Sequence, residues 1–207
     1  MRIDTDPKRV LMFLVLFVSM GFIMDLVHEF SHWIFGMAVG GKLIYMKITW
    51  FEIYPKPALA STFDLGLVNV AGLTSDFSHG IMSLGGSLTT NIIAWIVGLF
   101  LMSVKFGHKT RISLKFLGLL GILDLPMYVV LPQIGLKHWI FIGGSEPEPL
   151  WGARKVGLPD PLFYILVGAT TLGLAFLYFR PILTRVAKVL ARCVIRNNMR
   201  FHRDHLG

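Results

Sequence analysis

Four apolar runs divide this chain, at Val10 to Val39, Ser83 to Val104, Phe116 to Pro132 and Leu162 to Phe179. Each approaches the roughly 20 residues with which a helix crosses about 30 Å of hydrocarbon. A soluble domain seldom needs one such run, so four of them point to an all-α polytopic membrane protein with about four transmembrane helices. Composition agrees: 54% of the 207 residues are hydrophobic, 15% are charged, and the mean hydropathy is +0.65. The first run has no short apolar core followed by a small-residue cleavage site, so it reads as a retained span rather than a signal peptide. Residues 1–179 then form one membrane domain, and residues 180–207 a basic tail.

A net charge of +8 would suggest nucleic acid in a soluble chain, but its distribution here argues against that partner. Lys105, Lys109, Arg111 and Lys115 crowd the second connection without an acid, and the tail carries Arg180, Arg185, Lys188, Arg192, Arg196, Arg200 and Arg203 against Asp204. In the first and third connections the two signs are balanced. The excess of cations on one side places both termini in the cytoplasm. Basic residues three or four apart in the tail, with Ile182, Val186, Val189, Leu190 and Val194 between them, suit a helix lying on an anionic leaflet, or a solvated basic end.

Gly40 and Gly41 stop the first helix, and "KLIYMKITWFEIY" then reads as one or two strands ended by Pro55 and Pro57. This small membrane-associated β region either packs on the helices or offers an edge to an extended peptide.

Within the first run lies "MDLVHEFSHWIF", which puts Asp25, His28, Glu29 and His32 at membrane depth. Residues four apart lie about 40° around a helix and ~6 Å along it, so His28 and His32 present two imidazoles that one zinc ion can bridge. Glu29 stands on the neighbouring flank, placed to take a proton from a metal-bound water. With seven His and four Glu in the chain, H-E-x-x-H arises by chance with a probability of roughly 0.005. Polar residues that only join helices would explain the pattern too, but each ionisable group at this depth costs at least ~2.5 kcal/mol on insertion scales.

A single cysteine, Cys193, leaves no Cys pair for zinc, so His and carboxylate must hold any metal. A catalytic zinc wants a third protein ligand. Asp124 is the leading candidate, being the lone ionisable residue of its run and at compatible depth; Asp25, Asp76, His79 and His138 are the rivals. Asp25, one turn before His28, suits a hydrogen bond to a ligand histidine better than a metal bond. Asn91, in "GGSLTTN", is either an amide joining two helices or a donor to a developing oxyanion or a substrate backbone.

In order, "HEFSH", "KLIYMKITWFEIY", "GGSLTTN" and "LDLP" resemble the site-2 protease family of intramembrane zinc metalloproteases over about residues 10–132. The resemblance implies His28 and His32 as zinc ligands, Glu29 as general base, Asp124 as the aspartate ligand and Asn91 as the motif asparagine. Leu125 stands where the family has glycine after the aspartate, and Ser87-Leu88 where it has Gly-Pro. The implied activity is hydrolysis of peptide bonds in membrane-embedded protein substrates. Two other readings compete: a membrane metal-ion carrier, for which Glu29 has no obvious use, and a catalytically inactive scaffold.

Overall fold

A computed structural model describes residues 6–61, 65–139 and 143–205, with the side chains of residue 182 and of 185 onward outside the described set. Its elements are α1 (Pro7–Ala38), β1 (Lys42–Ile48), β2 (Phe51–Tyr54), β3 (Ala58–Leu59), β4 (Gly66–Ala71), α2 (Asp76–Ser103), α3 (His108–Val130), a single 3₁₀ turn (Pro132–Ile134), α4 (Glu148–Lys155) and α5 (Asp160–His205). Four helices are long and apolar enough to cross a membrane: Pro7–Ala38, Asp76–Ser103, His108–Ile134 with the 3₁₀ turn included, and Asp160–Pro181.

The helices overrun the apolar runs that announce them, because capping and propensity rather than hydropathy set their ends. Asp6 accepts from the Lys8 N–H at 3.0 Å and Pro7 opens α1. Ser75 accepts from the Ser78 N–H at 3.1 Å, so α2 starts seven residues before its apolar run. Lys109, Arg111 and Lys115 belong to α3 rather than to a loop, since Lys and Arg are good helix formers. The helix of the last run continues through Pro181 into the basic tail, whose side chains from 185 onward, and with them the expected lipid-facing pattern, lie outside the described residues.

After Gly40, at φ 89°, the chain turns into an antiparallel sheet of order β3-β2-β1-β4. It has four strands where the sequence suggests one or two, and β4 forms one of its edges. Met46, Ile48 and Val68 are buried between β1, β4 and α1, with Leu26, Phe30 and Trp33 packed on them.

Phe13 of α1 meets Phe116 of α3 edge to face, while Tyr178 of α5 donates to the Ala94 carbonyl of α2 at 2.8 Å. These contacts put the start of α1, the α2–α3 connection and Pro181 at one cationic end of the bundle. The sheet, residues 131–139 and 143–147, and α4 lie at the other end. There Leu125 and Val129 of α3 pack with Leu150 and Ala153 of α4 and Phe163 and Val167 of α5. Backbones of α2 and α4 touch: a Cβ added at Gly80 would lie 2.8 Å from the Gly152 carbonyl oxygen, and the converse holds at Gly152. This glycine contact docks the short helix beside the polar centre of the bundle.

Candidate metal centre

The four ionisable residues of "DLVHEFSH" differ in burial. His28, Glu29 and His32 are buried against the bundle, and Asp25 is half-buried one turn away. The Nε2 atoms of His28 and His32 approach to 3.0 Å. Nδ1 of His32 lies 2.7 Å from the Met82 carbonyl oxygen, which can only accept, so Nδ1 carries the proton and Nε2 a lone pair. Nδ1 of His28 lies 3.2 Å from Asp124 Oδ2, and the Thr90 hydroxyl donates to that same oxygen at 2.7 Å. A carboxylate in that position assigns the His28 proton to Nδ1 too. With both rings neutral, the two facing Nε2 atoms are then both acceptors.

A third acceptor joins them, Glu148 Oε2, 3.5 Å from His32 Nε2, and the three side chains bring ligand atoms within 4.8 Å of one another. Three acceptors with no hydrogen among them repel unless a cation sits between them. Space for one exists because residue 86 is glycine: a Cβ there would lie 2.4 Å from both Nε2 atoms. The donor set, two imidazoles and a carboxylate, is one that a single zinc ion accepts while keeping a position open for water.

Glu29 lines the same cavity, of about 560 Å³, as His32, Tyr128, His138 and Glu148. Its carboxylate rests on the first residue of β4, where a Cβ on Gly66 would lie 2.3 Å from Oε1. Leu65, Gly66, Leu67 and Val68 form part of the cavity wall, so the edge strand borders the space that Glu29, His32 and Glu148 line. Above it the Tyr128 ring stacks on His28, with centroids 4.7 Å apart, and on His138 at 3.9 Å. His138 is held in turn by the Glu146 carbonyl at its Nε2 and by its own backbone N–H to the Gly144 oxygen at 2.9 Å. Burial pushes the His138 imidazole below its ordinary pKa, so it stays neutral at neutral pH.

Of the residues singled out in the sequence, His28, Glu29, His32 and Asp124 come together in the described structure. Asp124 meets the centre at His28 Nδ1, whereas the converging group is His28, His32 and Glu148. Asn91 faces α5: its Oδ1 accepts from the Thr170 hydroxyl at 2.8 Å, which in turn accepts from the Trp95 indole N–H at 2.8 Å. Asp76 and His79 are exposed at the start of α2. Asp25 Oδ2 is buried without a hydrogen-bond partner among the described residues. Glu148, Thr90 and Tyr128 are not among the sequence candidates, and Gly86 enters only through "GGSLTTN", where Gly85, Gly86 and Ser87 allow close helix approach. Of the first three, only Thr90, next to Asn91 in a run of polar residues at membrane depth, carried a local signal.

No family model, curated protein or solved structure matches this chain.

Proposed function

We propose that the chain is an intramembrane zinc metalloprotease of the site-2 protease type, cutting peptide bonds of membrane-embedded protein substrates. One observation carries the reading: His28, His32 and Glu148 converge, and His32 and Glu148 line a cavity with the separate Glu29, whose wall includes the edge strand β4. In this reading His28, His32 and Glu148 hold the metal through Nε2, Nε2 and the carboxylate. Asp124 and Thr90 hold the His28 ring in the tautomer that frees Nε2, rather than Asp124 reaching the metal itself.

When bound, zinc polarises the scissile carbonyl and lowers the pKa of the attacking water. The remaining work falls to the chain. Glu29 takes the proton from the water and passes it to the leaving amine. The outer edge of β4 pairs with an unwound substrate segment, which is needed because a helical backbone keeps its carbonyls bonded within itself. Asn91 Oδ1 is tied to Thr170 at the α2–α5 contact, while its Nδ2, the donor an oxyanion would need, has no hydrogen-bond partner among the described residues.

Cations gather at the end of the bundle opposite the sheet and the cavity. With both termini in the cytoplasm, as the charge bias argues, the cavity opens toward the outer face of the membrane.

The experiment compares purified wild type with Glu29→Gln and His28→Ala for zinc content and for cleavage of a panel of single-span substrates. Wild type with about one zinc per chain, zinc retained but cleavage lost in Glu29→Gln, and both lost in His28→Ala is the expected result. A folded wild type that binds no zinc would overturn the reading.

A further inference from the structure

A second, smaller cavity of about 110 Å³ lies on the other side of the His28–Tyr128 stack. Its outer part is framed by Phe17 and Gly21 of α1 and Leu120 of α3, and its inner end by His28, Asp124 and Tyr128. Two residues, Leu65 and Tyr128, line this cavity as well as the larger one beneath β4. The two spaces are thus neighbours across a single wall, one lined by the carboxylates Glu29 and Glu148, the other mostly apolar with Asp25 and Asp124 also in its lining. The space beside Gly21 is open: a Cβ there would meet no atom within 4 Å, so a larger side chain has room to enter.

We infer that the small cavity is a specificity pocket that takes one large apolar side chain of the substrate, next to the bond being cut. This rests on the proposed function. The argument follows from strand geometry. A peptide paired along β4 projects successive side chains to opposite faces, so at Leu65 one side chain faces the wall while its neighbours face away. A side chain that crosses the wall finds apolar surface on α1 and α3 and stops against the ring of His28. Its residue therefore lies beside the metal-binding atoms. A lipid chain entering between α1 and α3 could reach the same space, and the test separates the two occupants.

The probes are peptide hydroxamates carrying Gly, Ala, Leu or Phe beside the metal-binding group, titrated into the full-length zinc-loaded protein. In wild type, affinity should rise about 50-fold from Ala to Leu when the side chain is fully buried, given that each of the three added carbons contributes about fourfold. Gly21→Leu fills the cavity from its open side and should abolish that rise while leaving the Gly hydroxamate within about twofold. Phe17→Ala, which enlarges the same space, should move the preference toward Phe, and it serves should Gly21→Leu fail to fold. Wild-type affinities independent of side-chain size would overturn the pocket and leave the metalloprotease reading standing. Equal weakening of all four hydroxamates by Gly21→Leu would also overturn it, pointing to a lipid chain or a displaced helix. A zinc-loaded protein that binds none of the four would remove the proposed function and the pocket with it.

Discussion

Placing alanine at position 86 separates metal binding from folding more sharply than any ligand substitution does. A methyl group there lies 2.4 Å from the Nε2 atoms of both His28 and His32, against the roughly 3.5 Å of an ordinary contact, so each ring must retreat by about 1 Å. Both contacts are the far ends of side chains that can swing, which keeps the cost to the fold small. Overpacking of this kind costs about 1–3 kcal/mol, and replacing a mid-helix glycine returns about 0.5–1 kcal/mol. The net loss of about 0–2.5 kcal/mol should lower Tm by less than about 10 °C for a chain of this length. Retreat of the rings strains the 3.2 Å bond to Asp124 and the 2.7 Å bond to Met82, and fills the space between the three acceptors. Zinc affinity should therefore fall by at least about 100-fold. Competition titration with a chromophoric chelator measures the affinity, and a melt followed by circular dichroism measures the stability. Gly85→Ala is the matched control, its Cβ meeting Phe35 at 2.9 Å and neither histidine, and it should keep the zinc. Wild-type zinc affinity in Gly86→Ala would refute the metal centre as described.

Glu148→Gln should lower zinc affinity strongly with little change in Tm, read by the same chelator titration; unchanged affinity would remove Glu148 from the ligand set. Thr90→Val and Asp124→Asn loosen the His28 ring and should each weaken zinc by about 10–100-fold, with the larger effect for Asp124. Thr170→Val strips the Asn91 amide and the Trp95 indole of their shared partner and should cost about 1–3 kcal/mol of stability in a denaturant titration, with zinc content unchanged. Gly152→Val forces α4 away from α2 at the point where their backbones touch, so it should lower both Tm and zinc content by displacing Glu148.

Periodicity and depth made half of this centre legible. "HEFSH" fixes two rings and a carboxylate relative to one another through helix geometry alone, and a lone aspartate in an apolar run announces that it needs a partner. Neither signal carries the direction in which α3 turns. Asp124 meets the Nδ1 atom of His28, on the side away from the facing Nε2 atoms, and that depends on how α2 and α3 rotate about Gly86, Thr90 and Gly121. Glu148 was illegible for a related reason. It stands in a proline-rich connection that reads as solvated, and only the contact between Gly80 and Gly152, 72 positions apart, brings it to the histidines. Strand number eluded the sequence because β3 is two residues long and β4, "GLVNVA", gains its register solely from pairing with β1. Where hydropathy stopped at charged residues the helices did not, since Lys and Arg extend a helix as readily as they end a membrane span.

A proton is the one alternative cation for the space between His28 and His32, and the surroundings argue for a larger one. A shared proton needs only the two Nε2 atoms, and 3.0 Å is an ordinary distance for it. Tetrahedral zinc would set the two nitrogens about 3.3 Å apart, an opening of a few tenths of an ångström. A bridging proton bonds only the two rings, whereas a metal ion would also take the Glu148 carboxylate, whose Oε2 lies 3.5 Å from His32 Nε2. Acceptors at both Nδ1 atoms suit either cation, since the neutral ring of a protonated pair also places its proton on Nδ1. Glycine, two tethered tautomers and a third acceptor form a consistent set around a divalent ion, with Glu29 left over, in the same cavity, for the chemistry.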